Sequence, residues 1–299
     1  MASSEPLRFC AVDVISGRPL KTTRSIAIAS KLCRTHGKSV VLVPTMGALH
    51  AGHTALIDRA RNLAGKDGLV VVSIFVNPTQ FGPKEDLSRY PRPFSADQAL
   101  CDKHGVDLLF HPLSEAMYPD GYSTWVDENR VSAPLCGGSR PGHFRGVCTV
   151  VLKLFQITAA DVAVFGLKDY QQCAVIRRMV RDLNLPVRIV AADTVREADG
   201  LALSSRNQYL SADERDQAPG LRRALLEARS AFRAGEGSAA RLVGSVRRAI
   251  ESLPLGRIDY VEVVDADSLQ PLDVVQRNSV VAVAVFFGKT RLIDNLWLR

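Results

Sequence analysis

Runs that are apolar on both faces alternate with amphipathic stretches over the first two thirds of the chain. Ser39 to Pro44 (SVVLVP), Gly68 to Val76 (GLVVVSIFV), Val106 to Phe110 (VDLLF), Val162 to Phe165 (VAVF) and Pro186 to Val190 (PVRIV) are the apolar runs. Thr54 to Ala64 and Ala96 to His104 read as helices, and Tyr170 to Leu183 sets Val175, Ile176, Met179, Val180 and Leu183 on one stripe. A strand with no polar face must be covered on both sides, and intervening helices supply that cover. The pattern predicts an α/β fold, a Rossmann-like doubly wound parallel sheet.

The texture changes after about Asp193. Two helical segments rich in Ala, Leu and Arg, Ala212 to Ala234 and Ala239 to Ser252, flank the break Gly235-Glu236-Gly237. Three strand-like segments follow: IDYVEVVDA, VVAVAVFF and TRLIDNLWL. Helices followed by such strands predict a second, smaller α+β domain with antiparallel pairing. With the boundary near 193–195, the expected domains are 1–194 and 195–299.

Composition narrows the class. Of 299 residues, 46% are hydrophobic and 23% charged, which suits a packed globular protein and excludes collagen-like or disordered chains. The longest apolar stretch, Val280 to Phe287, is far short of the ~20 residues of a membrane-spanning helix, and MASSEPLRFC lacks the apolar core of a signal peptide. The expectation is a cytoplasmic protein with no membrane partner. Six cysteines (Cys10, Cys33, Cys101, Cys136, Cys148, Cys173) form no C-x-x-C pair and read as free thiols, not as a zinc site. The net charge of +7 suits an anionic ligand, yet much of the excess lies in arginines on helical segments. Basic and aromatic residues do not interleave on one face, so no nucleic-acid partner is expected.

Four segments carry candidate chemistry. Pro44-Thr-Met-Gly-Ala-Leu-His50-Ala-Gly-His53 joins the first strong strand to a helix, the place where a parallel sheet binds phosphate. Gly47 and Gly52 admit a bulky anion, and His50 and His53 can lie side by side to donate to phosphate oxygens. Asn77 and Gln80, after the next strand, are neutral amides suited to a small polar acid. Lys168 can reach a phosphate, Asp169 can cap the next helix, and Gln172 lies one turn on. Ser204-Ser205-Arg206 offers two hydroxyls and a guanidinium from the second domain. Together these loops suit a nucleotide plus a small polar acid.

The segments PTMGALHAGH, SIFVNPTQFGPKEDLSRYPR, MYPDGYST, GHFRGVCTVVLKLFQI, FGLKDYQQ, TVREADGLALSSRNQYL and TRLIDN resemble, in order, those of the pantoate–β-alanine ligases. That family lies in the superfamily of HIGH-motif nucleotidylyl transferases related to class I aminoacyl-tRNA synthetases. The resemblance implies a two-step reaction: pantoate carboxylate attacks the α-phosphorus of ATP, and β-alanine then attacks the acyl carbon of the pantoyl adenylate. It makes His53, His50 and Lys168 catalytic, with His53 as proton donor. It assigns ATP to Met46, Gly47, Gly52, His53, Gly166, Lys168, Asp169, Val195, Leu203 and a degenerate KMSKS-type loop, Ser204, Ser205 and Arg206. Pantoate falls to Gln80, Gln172 and Asn77, β-alanine to Gln80, and the apolar walls to Pro44, Met46 and Phe75. Mg2+ is expected on the triphosphate, with Asp97 as its best protein partner. Leu167 stands where GEKD is common in the family, which removes a carboxylate beside Lys168. A homodimer is a further expectation, and the second domain would form a lid over the ATP site. A cytidylyl or other adenylyl transferase would share the H-x-G-H turn but not the set Gln80, Lys168 and Gln172.

Overall fold

The computed structural model describes residues 17–83 and 85–299, so Cys10 lies outside the described residues. Six parallel strands, β1 (Lys21–Thr23), β2 (Val40–Thr45), β3 (Leu69–Ile74), β4 (Leu108–Phe110), β5 (Val162–Gly166) and β6 (Arg188–Ala192), stand in the order β1-β4-β3-β2-β5-β6. From β2 the chain winds outward through β3 and β4, then returns to β5 on the other side of β2 and continues to β6. The carboxyl ends of β2 and β5 therefore flank the point where the winding reverses, the place where open α/β sheets bind ligands.

Alternate strand residues serve opposite faces, as the two-residue period requires. Leu42, Val71, Leu108 and Phe165 join one apolar cluster, and Val41, Val43, Val70, Val72 and Val164 join another. The connecting helices are α1 (Ile26–Arg34), α2 (Ala51–Ala64), α3 (Phe94–Lys103), the short α4 (Ser114–Met117) and α5 (Cys136–Ser139), α6 (His143–Thr158) and α7 (Tyr170–Asp182). Residues of α6 and α7 pack on the first cluster, whereas Ile57 and Ala60 of α2 and Cys101 of α3 pack on the second.

The remainder comprises α8 (Ala212–Gln217), α9 (Gly220–Arg233), α10 (Ala239–Glu251) and an antiparallel sheet of β7 (Gly256–Asp265), β8 (Ser279–Phe287) and β9 (Thr290–Leu298), in the order β7-β8-β9. Val281, Val283 and Val285 of β8 meet Leu221 and Leu225 of α9 and Leu242 and Val246 of α10 in one cluster. Val280 and Val264 face the other way, into the cluster that also holds α6 and α7. The central strand β8 is therefore buried on both faces along nearly its whole length.

Three features depart from the sequence pattern. Helix α6 was not evident, because Val147, Thr149, Val150 and Val151 give it a strand-like composition, and its polar stripe is narrow, carried by Arg145, Lys153 and Gln156. Ala212 to Ala234 is not one helix: Pro219, which has no N–H to continue the ladder, separates α8 from α9. Helix α2 begins at Ala51, three residues before Thr54, which puts His53 inside its first turn.

Candidate active site

The loop from β2 to α2 is held by side chains on neighbouring elements. Gly47 has φ +82° and Ala48 φ +51°, a left-handed pair that turns the chain sharply. A Cβ on Gly47 would lie 3.0 Å from both Asp97 Oδ2 and Ile74 Cγ2, so close packing also requires glycine. Asp97, 1% exposed on α3, accepts from Ala48 N (2.9 Å, Oδ2) and Leu49 N (2.7 Å, Oδ1). Asp97, the expected magnesium partner, has each oxygen on a backbone amide and lies outside the cavity lining, so in this structure it clamps the loop.

His50 is the N-cap of α2. Its Nδ1 accepts from Gly52 N at 3.1 Å, while His53 Nδ1 faces His50 N at 3.4 Å, a reciprocal cap made from two imidazoles. The ring centroids are 4.2 Å apart. Because a backbone N–H faces each Nδ1, the neutral tautomer of both rings carries its proton on Nε2. Burial lowers the His50 pKa to about 4, helped by the Lys168 charge. Burial, then His50 and Lys168, lowers His53 to about 3. Both are therefore neutral N–H donors at pH 7. A Cβ on Gly52 would lie 2.9 Å from His50 Cε1, so this glycine makes room for the ring.

The loop after β3 supplies the opposite wall. Gln80 Nε2 lies 3.2 Å from Met46 Sδ, and its Oε1 accepts from Asn77 Nδ2 at 3.0 Å. Asn77 is 1% exposed, and its amide also contacts Gly146 O (3.1 Å), Thr79 Oγ1 (3.0 Å) and Tyr118 OH (2.9 Å). With these four contacts the hydrogen-bonding capacity of the Asn77 amide is filled, so from the cavity wall it orients Gln80.

After β5, Lys168 Nζ lies 3.9 Å from Asp169 Oδ1, a loose pair that leaves the ammonium free to meet an anion. Asn295 on β9 donates to Leu167 O (2.9 Å) and Lys168 O (3.0 Å), fixing this turn from the antiparallel sheet. Gln171 is buried and bonded to Cys136 N, Val131 O and Pro134 O, whereas its neighbour Gln172 lines the cavity. In the Ser204 loop, Ser204 Oγ accepts from Arg206 N (3.2 Å) and Leu203 N donates to Val195 O (3.0 Å). Arg206 pairs with Asp86 through two contacts of 2.9 and 3.0 Å, and Ser205 Oγ lies 3.4 Å from Tyr90 OH.

These loops surround a cavity of about 230 Å³. Pro44, Met46, Phe75, Gly52, His50, His53, Asn77, Gln80, Gly166, Lys168, Asp169, Gln172, Val195, Leu203, Ser204, Ser205 and Arg206 all line it; Gly47 does not, and shapes the loop from behind. A larger cavity of about 720 Å³, against the antiparallel sheet, shares Lys168, Gln172, Ser204 and Arg206 with it. Among the described residues, no three His, Cys, Asp or Glu side chains are grouped to hold a metal ion.

Sequence reasoning missed His143 and Arg140. His143 Nδ1 donates to Gln80 O at 2.9 Å, and its Nε2 lies 3.0 Å from Arg140 Nη1, which cannot accept and must donate. Burial and the Arg140 charge lower the His143 pKa to about 4. Arg140 is itself held by Glu85 at 2.7 and 2.6 Å. The signal lay in GHFRG, a His and a Gly just ahead of an apolar run, but the partners are about 60 residues apart in sequence.

The family model for pantoate–β-alanine ligase matches residues 18–297. The pantothenate synthetase of Desulfovibrio desulfuricans is 55% identical over 93% of this chain and 98% of its own length, and that of Syntrophotalea carbinolica 54% over 89% and 93%. The crystal structure of pantothenate synthetase from Thermus thermophilus superposes with a TM-score of 0.88 at 47% identity, covering 93% of this chain and 99% of the other. The pantoate–β-alanine ligase of Francisella tularensis, complexed with β-γ ATP and β-alanine, gives a TM-score of 0.76 at 32% identity over 93% and 98%. With sequence, fold and loop placement agreeing over nearly the whole length, the chain belongs to the pantoate–β-alanine ligase family.

Proposed function

We propose that this chain joins pantoate to β-alanine with cleavage of ATP to AMP and pyrophosphate, through a pantoyl adenylate. The observation that carries the reading is the convergence of two neutral imidazole donors, Lys168 and the amides of Gln80 and Gln172 on one cavity.

In the first step a pantoate carboxylate oxygen forms a bond to the α-phosphorus, and the bond from that phosphorus to the bridging oxygen of pyrophosphate breaks. Charge grows on the phosphate oxygens, where His50 and His53, at the N-terminus of α2, offer N–H donors without desolvating a cation. A His53 pKa near 3 suits it to donating a hydrogen bond rather than to serving as a base. Lys168, Ser204, Ser205 and Arg206 are the groups we assign to the triphosphate, and Met46, Gly52, Gly166, Asp169, Val195 and Leu203 to the rest of the nucleotide. Gln80 and Gln172 bind the acid, with Pro44, Met46 and Phe75 against its methyl groups. In the second step the β-alanine amine, beside Gln80, forms a C–N bond to the acyl carbon and loses a proton to solvent, the bond from that carbon to the bridging oxygen breaks, and AMP departs with that oxygen.

The donor set does not fit a protein-held metal, so magnesium enters as part of its substrate, MgATP. Residues 195–299 carry the Ser204 loop and serve as a lid over 1–194, with Arg206 and Asp86 as one latch. Among the described residues no helix is long and apolar enough to cross a membrane. The family resemblance supports a cytoplasmic homodimer acting on small molecules.

The test is pantoate-dependent exchange of labelled pyrophosphate into ATP with magnesium present and β-alanine absent. Exchange is expected; its absence from folded protein would overturn the adenylate half-reaction.

A further inference from the structure

The orientation of the Gln80 amide is decided by a chain of hydrogen bonds that ends on a backbone carbonyl. Gly146 O can only accept, so the Asn77 atom 3.1 Å from it is the nitrogen Nδ2. That nitrogen also donates to Gln80, 3.0 Å away, so the Gln80 atom turned toward it is the oxygen. Asn77 Oδ1, on the other side, takes the Tyr118 hydroxyl at 2.9 Å, beside the Thr79 hydroxyl at 3.0 Å. With its oxygen engaged, Gln80 turns Nε2 toward the cavity wall, where its neighbour is the thioether of Met46, a weak acceptor that a ligand oxygen would displace.

Each member of the chain is held in place. A Cβ at Gly146 would lie 2.6 Å from Thr79 O and 2.8 Å from Gln80 Cα, so only glycine lets α6 bring its carbonyl to Asn77. Tyr118 packs edge-on against Tyr122 (5.0 Å) and lies nearly parallel to Trp125 (6.2 Å). Lys153 Nζ lies 4.6 Å from the Tyr122 ring centre, and the Arg145 guanidinium is 4.5 Å from that of Trp125. Burial holds the Tyr118 hydroxyl above the ordinary phenol range, so it remains an O–H donor.

We propose that Tyr118 is a positioning residue of the acid subsite: acting through Asn77, it holds Gln80 as a donor, so that this wall selects a substrate oxygen and disfavours an N–H or O–H hydrogen at that point. The inference rests on the reading of Gln80 as a contact to pantoate. A flipped Asn77 would set two acceptors, its own oxygen and Gly146 O, against each other. The Tyr118 O–H opposes that flip from the far side, and its loss leaves Asn77 Oδ1 only the Thr79 hydroxyl.

The experiment is a double-mutant cycle read in steady-state constants, with Tyr118→Phe, Gln80→Ala and the double variant. Tyr118→Phe keeps the ring packing and is expected to raise KM for pantoate about fivefold, the worth of one neutral hydrogen bond, with KM for ATP and the thermal midpoint unchanged. In the Gln80→Ala background, Tyr118→Phe is expected to have no further effect on KM for pantoate. An equal effect in both backgrounds, or an unchanged KM for pantoate in Tyr118→Phe, would overturn the positioning role while leaving the acid subsite intact. If Gln80→Ala itself leaves KM for pantoate unchanged, the subsite reading falls and this inference with it.

Discussion

His50 and His53 meet ring to ring at 4.2 Å, and a backbone N–H of the same helical turn faces Nδ1 of each. One side chain, His50, thus both caps α2 and offers its Nε2–H to the cavity. Asparagine caps helices well and can accept from Gly52 N, but it does not place the same donor in the cavity. His50→Asn should change stability by less than about 1 kcal/mol and lower pyrophosphate exchange roughly 100-fold. Thermal unfolding and the exchange assay check the two halves separately; a rate within about threefold of the wild type would remove His50 as a donor.

Gly52 gives a case where the usual helix rule reverses. Exposed glycine in a helix is normally worse than alanine by about 1 kcal/mol, so Gly→Ala ordinarily stabilises. Here the added methyl would meet the His50 ring at 2.9 Å and push it from its capping position. Gly52→Ala should therefore bring no gain in the thermal midpoint and a loss of at least tenfold in exchange. A more stable, fully active variant would show that the ring has room to move.

Asp97→Asn tests the loop clamp against a metal role. Asparagine keeps one acceptor and turns an NH2 toward the second amide, so either Ala48 N or Leu49 N loses its partner. The expected cost is about 1–3 kcal/mol of stability, with a lower exchange rate. The magnesium concentration for half-maximal rate should not move; a severalfold increase would restore Asp97 as a metal ligand.

Gln171 and Gln172 are adjacent but differ in use. Gln171 binds three backbone groups and is buried, so Gln171→Ala should lower stability by about 1–3 kcal/mol. Gln172 faces the cavity, so Gln172→Ala should leave the thermal midpoint unchanged and raise KM for pantoate more than KM for ATP. Equal increases in both constants would count against Gln172 as an acid contact.

The parallel sheet was legible because β2, β3 and β5 are buried on both faces and have no polar alternation to hide. The histidine turn was legible because its glycines and imidazoles lie within seven residues, Gly47 to His53. What sequence could not convey was which amides were already spoken for. Asn77 and Gln80 look equivalent in NPTQ, and only Gly146 and Tyr118, brought in by α6 and the 117–125 segment, separate a ligand contact from its support. Asp97 likewise reads as a free carboxylate until α3 is docked beneath the β2 loop. Helix α6 escaped because its run Val147 to Val151, rich in β-branched residues, reads as a strand, while its polar stripe, Arg145, Lys153 and Gln156, is narrow.

Acid should unfold this protein through its histidines before its carboxylates. His50, His53 and His143 have pKa values lowered to about 4, 3 and 4, in each case chiefly by burial. An unfolded chain takes up protons on these rings near pH 6.5, while the folded protein does not until about pH 4. Stability is thus fully present above pH 6.5 and declines as pH falls towards 4, by up to about 1.4 kcal/mol per pH unit for each ring protonated only when unfolded. Glu85 and Asp86, held below the usual carboxylate range by Arg140 and Arg206 against the opposing effect of burial, act at lower pH. Urea unfolding at pH 6.5, 5.5 and 5.0 isolates the histidine window. His50→Asn, lacking one such ring, should show a slope shallower by roughly one proton; identical slopes would mean that His50 is protonated as readily in the folded protein as in the unfolded chain.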